Sequence, residues 1–382
     1  MTQIKFVDLS AQYLAYKEEI NQQVLDVLAS IQYIGGPQLE GLEKELQEFC
    51  GCQHAIGCSN GTDSLLLALL AAGIKPQDEV ITTSFTFVST VEMICLIGAI
   101  PVFIDIDPEN CLMDSKLLEG AITPKTKAII PVSLFGQVSA MDEINAVAQQ
   151  HSLVVIEDAA QSFGARQSTT KGEKYSCDLS TYACTSFYPA KGLGCYGDGG
   201  AVFTDNDDDA KKLRSLLNHG QSDRYEYVNI GINGRLDDIQ AAILRVKLRH
   251  YKDEIARRCQ LADNYTRALE NTPTLTPLKL LEGNKSVYSQ YSLYAPLSKR
   301  DDYRNTLQEQ GIPTGVYYPK PLHQHKVFAE FAYRGRDKNS KTQPVPLPHT
   351  EAAASRIFSL PVHPFLSDEQ QDKIIEVLNR LK

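Results

Sequence analysis

Lys191 lies in Ser186-Phe187-Tyr188-Pro189-Ala190-Lys191-Gly192, a turn bounded by proline and glycine and built from small and apolar residues. A lone lysine is ordinarily a solvated surface charge. In apolar surroundings burial disfavours the ammonium and lowers its pKa, which is what an imine-forming amine needs. Ser186, five residues earlier, can donate to a phosphate oxygen. A second segment, Cys58-Ser59-Asn60-Gly61-Thr62-Asp63-Ser64, follows the short run Ala55-Ile56-Gly57 and opens an apolar helix. Ser59 or Asn60 would cap that helix, leaving the N–H groups of Gly61 and Thr62 to bind phosphate with the helix dipole behind them. An ordinary N-cap with no ligand is the competing reading. A third segment, Ile156-Glu157-Asp158-Ala159-Ala160-Gln161, ends the most apolar strand. A carboxylate there can pair with a protonated pyridine nitrogen, keeping the ring cationic so that it takes electrons from a developing carbanion. Taken singly, Asp158 reads equally as a strand-end cap or as a metal or ribose ligand.

The fourth segment, Gly192-Leu193-Gly194-Cys195-Tyr196-Gly197-Asp198-Gly199-Gly200, contains Gly-x-Gly-x-x-Gly and raises a dinucleotide-dependent dehydrogenase as a second enzyme reading. That fingerprint needs a strand before it and a helix after it. Here the glycines run into the apolar stretch Gly200–Thr204, so the context fails. A close backbone turn around a bound ring suits them better.

The elements that must position these residues follow from pattern. Val80–Thr82, Pro101–Ile104, Ala128–Val132, Leu153–Ile156 and Gly200–Thr204 read as buried strands, and Ser64–Ala72, Asp114–Ala121, Met141–Gln150 and Asp208–Asn218 as helices between them. Such alternation predicts an α/β fold, a mainly parallel sheet covered on both faces, with ligands at the carboxyl ends of its strands. A long helical pattern then runs from Leu236 to Leu269. A link (Asn271–Leu281) leads to a smaller α+β portion, with strands near Tyr288–Ala295 and Gly315–Tyr318 and a closing helix Asp368–Leu381. The polar stretch Arg334–Pro348 reads as a mobile surface loop. At 382 residues the chain is too long for one compact core, so two domains are expected, 1–250 and 251–382.

Composition narrows the partners. Apolar residues make up 43% and charged residues 22%, which fits a globular protein, and the net charge of −9 argues against nucleic acid. The apolar runs Leu65–Ile74 and Ile94–Ile104 are too short or interrupted to span a bilayer, and Met1-Thr2-Gln3-Ile4-Lys5 begins no secretory signal. The nine cysteines are scattered, apart from Cys50-Gly51-Cys52, with no zinc spacing. Buried thiols in a reducing cytoplasm are expected, and no metal site.

Together and in this order the segments resemble the sugar aminotransferases of the DegT/DnrJ/EryC1/StrS family, which have the fold-type-I architecture of enzymes dependent on pyridoxal 5'-phosphate. The likeness runs from Phe6-Val7-Asp8-Leu9-Ser10-Ala11-Gln12-Tyr13 to Leu360-Pro361-Val362-His363-Pro364. It rests most on the stretches 59–64, 157–164 and 191–200. The resemblance implies a large domain built on a mainly parallel mixed sheet and a smaller C-terminal α+β domain. It implies that Lys191 holds the cofactor covalently and shuttles the proton, Asp158 pairs with the ring nitrogen, Gln161 contacts the ring oxygen and Phe87 stacks on the ring. Plain core packing is the other reading of Phe87. Gly61, Thr62 and Ser186 would hold the phosphate, completed by Asn233 from a neighbouring subunit of a homodimer with shared sites. Relatives with a histidine in place of this lysine are dehydratases, and Lys191 favours transamination.

The chemistry so implied moves an amino group from L-glutamate to a keto group of a nucleotide-linked sugar. Pro131–Gln137, Ala183–Phe187 and Ser286–Tyr291 resemble most the branch that aminates C3 of UDP-2-acetamido-2-deoxy-3-oxo-glucuronate for bacterial surface polysaccharides such as lipopolysaccharide O-antigen. A 4-oxo or another 3-oxo UDP- or dTDP-sugar is the alternative. Ser289 stands where many C4-acting members carry histidine, and Tyr317 where a histidine is expected before Tyr318-Pro319. Arg235, Tyr318 and His323 are the candidates for substrate contact, Arg235 because its planar fork binds paired oxyanion oxygens. An interface salt bridge for Arg235 and a satisfied loop histidine for His323 are the alternatives. A cofactor-binding homologue without turnover is the reading from outside enzymology.

Overall fold

β-Branched and apolar runs bounded by turns form the strands, and Leu/Ala-rich stretches at helical spacing form the helices. The computed structural model of the chain describes residues 3–270, 272, 274–333 and 346–381, with only the backbone of 330, 332 and 333. The helices are α1 (Leu9–Ser30), α2 (Pro37–Cys50), α3 (Gly61–Ala71), α4 (Val88–Leu96), α5 (Leu118–Ala121), α6 (Met141–Gln150), α7 (Asp207–Leu216), α8 (Asp238–Leu269), α9 (Arg300–Glu309), α10 (Pro348–Arg356) and α11 (Asp368–Leu378). The first strands are β1 (His54–Cys58), β2 (Glu79–Thr83), β3 (Ile100–Ile104), β4 (Thr126–Ile130), β5 (Val154–Asp158), β6 (Arg166–Thr169), β7 (Gly172–Tyr175), β8 (Tyr182–Ser186) and β9 (Gly200–Thr204). A short hairpin, β10 (Gln221–Asp223) and β11 (Glu226–Tyr227), follows, then β12 (Thr276–Pro277), β13 (Asn284–Lys285), β14 (Tyr291–Tyr294) and β15 (Ile357–Leu360).

Seven strands form the central sheet in the order β1-β9-β8-β5-β4-β2-β3. β9 is antiparallel to both its neighbours, and the remaining pairs are parallel. Because side chains alternate across a strand, each strand feeds two cores. Ile56, Tyr182, Cys184 and Val202 face the helices α3 and α7, whereas Ala55, Ala183, Ala201 and Phe203 face α2 and the first half of α8. The sheet is thus covered on both faces, as the strand–helix alternation predicts. Among the described residues no helix is long and apolar enough to cross a membrane.

The 32 residues of α8 span about 48 Å at 1.5 Å per residue. Its first half, to Tyr251, belongs to the sheet's core. Leu261, Ala262, Tyr265 and Leu269 belong to a second core closed by β14, β15, α9 and α11. The expected division at 250 therefore falls inside a continuous helix. Segments cross it in both directions: Ile4 packs in the second core, and β13 pairs with β6.

The strand expected at Gly315–Tyr318 is reduced to a single bridge between Gly315 and Ser359. Pro319 ends any ladder there, having no N–H, and Tyr318 turns away to bond Gln161. The helix expected at Asp114–Ala121 is a short 3-10 turn at Ser115–Leu117 followed by the single-turn α5. Of the loop expected at Arg334–Pro348, residues 334–345 lie outside the described residues.

One side chain ties the start of α8 to the start of α2. Pro37 occupies the first turn of α2 behind Gly36, which has no side chain to cap with. Asp238 does it instead, accepting from the N–H groups of Gly36, Gln38 and Leu39 at 2.6, 2.9 and 3.1 Å while fully buried. Asp238→Ala leaves three donors unmet, the Gly36 N–H among them buried, and should lower the unfolding free energy by about 2 kcal/mol, read by urea denaturation of the cofactor-free protein.

Candidate active site

The site is assembled at the carboxyl ends of β1, β8 and β5. Beyond β1, Asn60 rather than Ser59 caps α3, its side chain accepting from Asp63 N at 2.7 Å. Ser64 N takes the Asn60 carbonyl, so of the first helical donors those of Gly61 and Thr62 are left to point outward. Ser186, the last residue of β8, lies against this turn. A Cβ on Gly61 would come within 2.5 Å of the Ser186 Cβ, so only glycine lets the two meet. The Thr62 and Ser89 hydroxyls are 2.7 Å apart, which joins α4 to the same cluster.

Asp158 closes β5 and is buried. Its Oδ2 accepts from the Thr90 hydroxyl at 2.7 Å and its Oδ1 from Ala160 N at 3.2 Å. Burial raises its pKa, and the two hydrogen bonds and the charge of Lys191 act the other way. Lys191 has its pKa lowered by the same desolvation, opposed by Asp158. Among the described residues nothing hydrogen-bonds the Lys191 ammonium. Its turn is closed by Lys191 N bonding Tyr188 O and Cys195 N bonding Phe187 O, each at 2.8 Å. The glycines after it let the backbone pack closely: a Cβ on Gly194 would sit 2.6 Å from Tyr188 O, and one on Gly200 2.5 Å from the Asn60 carbonyl carbon.

Gln161, three residues after Asp158, is fixed at both ends. Its Oε1 accepts from Phe135 N at 2.9 Å and its Nε2 donates to the Tyr318 hydroxyl at 3.0 Å. Burial, with Asp158 nearby, holds the Tyr318 phenol well above the usual tyrosine range, so it stays a neutral donor. The Phe87 ring lies 6.4 Å from that of Tyr318 and is 54% exposed. Lys191, Asp158, Gln161, Tyr318 and Phe87 are thus gathered around the Gly61–Ser186 cradle.

The chain matches the model of the DegT/DnrJ/EryC1/StrS aminotransferase family over residues 15–379. It belongs to that family. A relative from Pseudomonas aeruginosa, a UDP-2-acetamido-2-deoxy-3-oxo-D-glucuronate aminotransferase, is 46% identical over 97% of this chain and 98% of its own. A UDP-N-acetyl-3-dehydro-alpha-D-glucosamine 3-aminotransferase from Acidithiobacillus ferrooxidans is 39% identical over 99% and 98%. Among solved structures, NtdA from Bacillus subtilis with bound cofactor PMP superposes with a TM-score of 0.90 at 31% identity, covering all of this chain and 85% of that one. The protein is a fold-type-I aminotransferase dependent on pyridoxal phosphate.

The residues present fit that cofactor. Two outward N–H donors and the Ser186 hydroxyl suit a phosphate, and the half-exposed Phe87 offers a ring face. Asp158 is a buried carboxylate without a bonded cation, which a pyridinium would supply. Ser89 and Thr90 are functional positions that sequence pattern does not single out; two adjacent buried hydroxyls in the mostly apolar helix α4 are the available signal.

Three expected contacts lie outside the gathered group. Arg235 pairs by backbone with Cys58, beside the α3 turn, and bonds Asn218 Oδ1, while its Nε is buried with no acceptor. Asn233 is exposed and bridges Asn218 through the backbone. His323 is buried with both ring nitrogens engaged, Nδ1 with Ser84 at 2.7 Å and Nε2 with Glu351 at 3.2 Å. It presents no free polar edge to a substrate. Among the described residues no group of three or more His, Cys, Asp or Glu is arranged to hold a metal.

The raised pKa of Asp158 makes folding favour its protonated form, so its ionisation costs stability as pH rises through that pKa. Asp158→Asn is therefore expected to leave the cofactor-free protein as stable as the original, or more so, at neutral pH. That advantage shrinks as pH falls and the original carboxyl takes up its proton. The same variant should release pyridoxal phosphate about tenfold more readily, having lost the charge opposite the ring nitrogen. Melting curves against pH, with and without cofactor, read both effects.

Proposed function

We propose that the chain transfers an amino group from L-glutamate to C3 of UDP-2-acetamido-2-deoxy-3-oxo-glucuronate, for a bacterial surface polysaccharide. The observation carrying the chemistry is the buried Asp158 and the desolvated Lys191 near it, beside the Gly61–Ser186 cradle. The choice of sugar is supported by the 46% identical relative that acts on this compound and by a second relative that acts at C3 of a UDP-linked sugar.

Pyridoxal phosphate, when bound, supplies an electron sink for the carbanion formed at the substrate carbon. Lys191 would hold it covalently; once the donor's amino group has displaced it, the freed amine, kept from carrying a permanent charge by desolvation, would take a proton from the substrate carbon and return it on the other side of the transfer. Asp158 keeps the ring nitrogen protonated and is itself held by Thr90 and Ala160 N. Gln161 faces the ring oxygen, oriented by Phe135 N and Tyr318. Gly61, Thr62 and Ser186 bind the phosphate and Phe87 covers the ring. Arg235 and Tyr318 meet the sugar and its anionic groups. His323 supports Ser84 and Glu351 instead.

The protein acts in the cytoplasm as a homodimer, with Asn233 of each subunit completing the phosphate site of the other. A row of exposed apolar residues around the β10–β11 hairpin supports this: Tyr225, Tyr227, Val228 and Ile230, the last 94% exposed. Ile31 and Ile34, after α1, are exposed as well. An apolar surface of this kind ordinarily marks an interface.

Two experiments test the reading. The protein preloaded with glutamate is challenged with 3-oxo and 4-oxo UDP- and dTDP-sugars, and the return of the yellow cofactor spectrum is followed. The 3-oxo uronate should restore it at least tenfold faster than any 4-oxo sugar, and Lys191→Ala should abolish it; faster return with a 4-oxo sugar reverses the choice of carbon. Separately, Ile230→Asp should shift the assembly to monomer in sedimentation and weaken cofactor retention about tenfold.

A further inference from the structure

The turn that carries Lys191 is gripped from below by one face of α8. Gln240 accepts from Tyr196 N at 2.9 Å and also donates to Tyr196 O at 3.5 Å. Tyr251 bonds Phe163 O at 2.8 Å and fills the space beside Gly192, where a Cβ would meet its hydroxyl at 2.6 Å. Between them lies Lys247, 2% exposed, whose ammonium donates to the Gly194 carbonyl and lies 5.1 Å from the centre of the Tyr196 ring.

A lysine at this depth is a costly choice for a core position of a helix. Desolvation pushes its pKa down to about 8, against the charges of Glu254 and Cys195, which favour the ammonium, and with Arg258, which does not. A leucine or methionine would fill the same space without that cost. What the ammonium provides is a hold on one carbonyl. Gly194 has no Cβ to restrain its backbone, and one placed there would sit 2.7 Å from Pro189 O. Its carbonyl is three residues past Lys191, on a turn otherwise tied by the bonds of Lys191 N and Cys195 N, the Cys195 thiol contacts with Phe187 O and Gly197 O, and the Gln240 bonds to Tyr196.

We propose that Lys247 is a positioning residue for the transamination: by holding the Gly194 carbonyl it fixes the turn from which Lys191 reaches the cofactor. This rests on the reading of Lys191 as the cofactor-bearing residue. It predicts that Lys247 governs how fast the cofactor-free chain captures pyridoxal phosphate, an event that needs no sugar and no turnover.

The test compares the cofactor-free original chain with Lys247→Met, which keeps length and loses the donor, and Lys247→Gln, which keeps an N–H donor without charge. Each is mixed with pyridoxal phosphate, quenched with borohydride at intervals, and the label on Lys191 counted by peptide mass. Melting of the cofactor-free proteins is measured alongside. The expected result is about tenfold slower labelling in Lys247→Met at a nearly unchanged melting midpoint, with Lys247→Gln recovering part of the rate. In the glutamate half-reaction Lys247→Met should lower kcat while KM for glutamate stays within about twofold. Labelling of both variants at the original rate overturns the proposal, and so does a loss in both that merely follows a collapsed melting midpoint, which would make Lys247 a structural residue only. Absence of label on Lys191 in the original chain would instead overturn the assignment of Lys191, and this inference with it.

Discussion

The constraint on which this structure turns is a buried negative charge with no fixed positive partner. Asp158 ends the central strand β5, away from water, with a hydroxyl and one backbone N–H as its donors. Transfer of a carboxylate into such surroundings costs several kcal/mol unless it is paired. Lys191 is the charged neighbour, and it is under the opposite stress: burial pushes its ammonium toward the neutral amine. The chain therefore holds an acid and a base that are each costly in charged form, close enough to relieve one another in part. On the proposed reading, a cationic ring paired with Asp158 would satisfy the acid. The stress in the cofactor-free fold is the counterpart of affinity and reactivity in the loaded one.

Strand geometry separates this charge from a second one. Glu157, adjacent in sequence, points to the other side of β5 because side chains alternate. It is fully buried too, and its pKa is raised by that burial. Yet its oxygens accept from Ser133 and Ser176 hydroxyls at 2.7 and 2.9 Å and from Cys177 N at 3.0 Å. That carboxylate is saturated and anchors the layer beneath the sheet. One residue further on, the Asp158 carboxylate is left with unfilled acceptor capacity. Two like residues take different roles solely from the direction in which they point.

Much of this was legible in the sequence. The runs at 80–82, 101–104 and 153–156 mark strands because apolar residues buried on both faces leave an unbroken signature, and Gly200–Thr204 was found to the residue. Lys191, Asp158 and the Gly61–Thr62 turn stood out because each combines an unusual residue with a strand end or helix start. What escaped were the partners. Thr90 meets Asp158 across 68 residues and Tyr318 meets Gln161 across 157, separations over which no local pattern carries information. The close turn at the glycines is legible, but not its neighbours, which include the backbone at Tyr188 and Pro189 and the distant Tyr251. His323 looked available because sequence does not show Ser84 and Glu351 occupying its ring.

The long helix α8 explains why those distant partners can be held to catalytic tolerance. A helix of this length belonging to one core would leave its far half unsupported. Here both halves are buried, the first under the sheet and the second in the smaller core, so the helix is a stiff beam between two packed bodies. Asp238 at its start fixes α2, and Gln240, Lys247 and Tyr251 along its face fix the turn of Lys191. Tyr318 enters the site from beyond the division of the two cores, where β14 and β15 pair and Gly315 bridges Ser359. There it packs against Phe85 and Phe135 and is tied to the end of β5 by its bond to Gln161. On the proposed reading, substrate contact by Tyr318 and proton transfer by Lys191 would meet at the end of β5, through Gln161 and Asp158, while α8 braces the turn of Lys191 from behind.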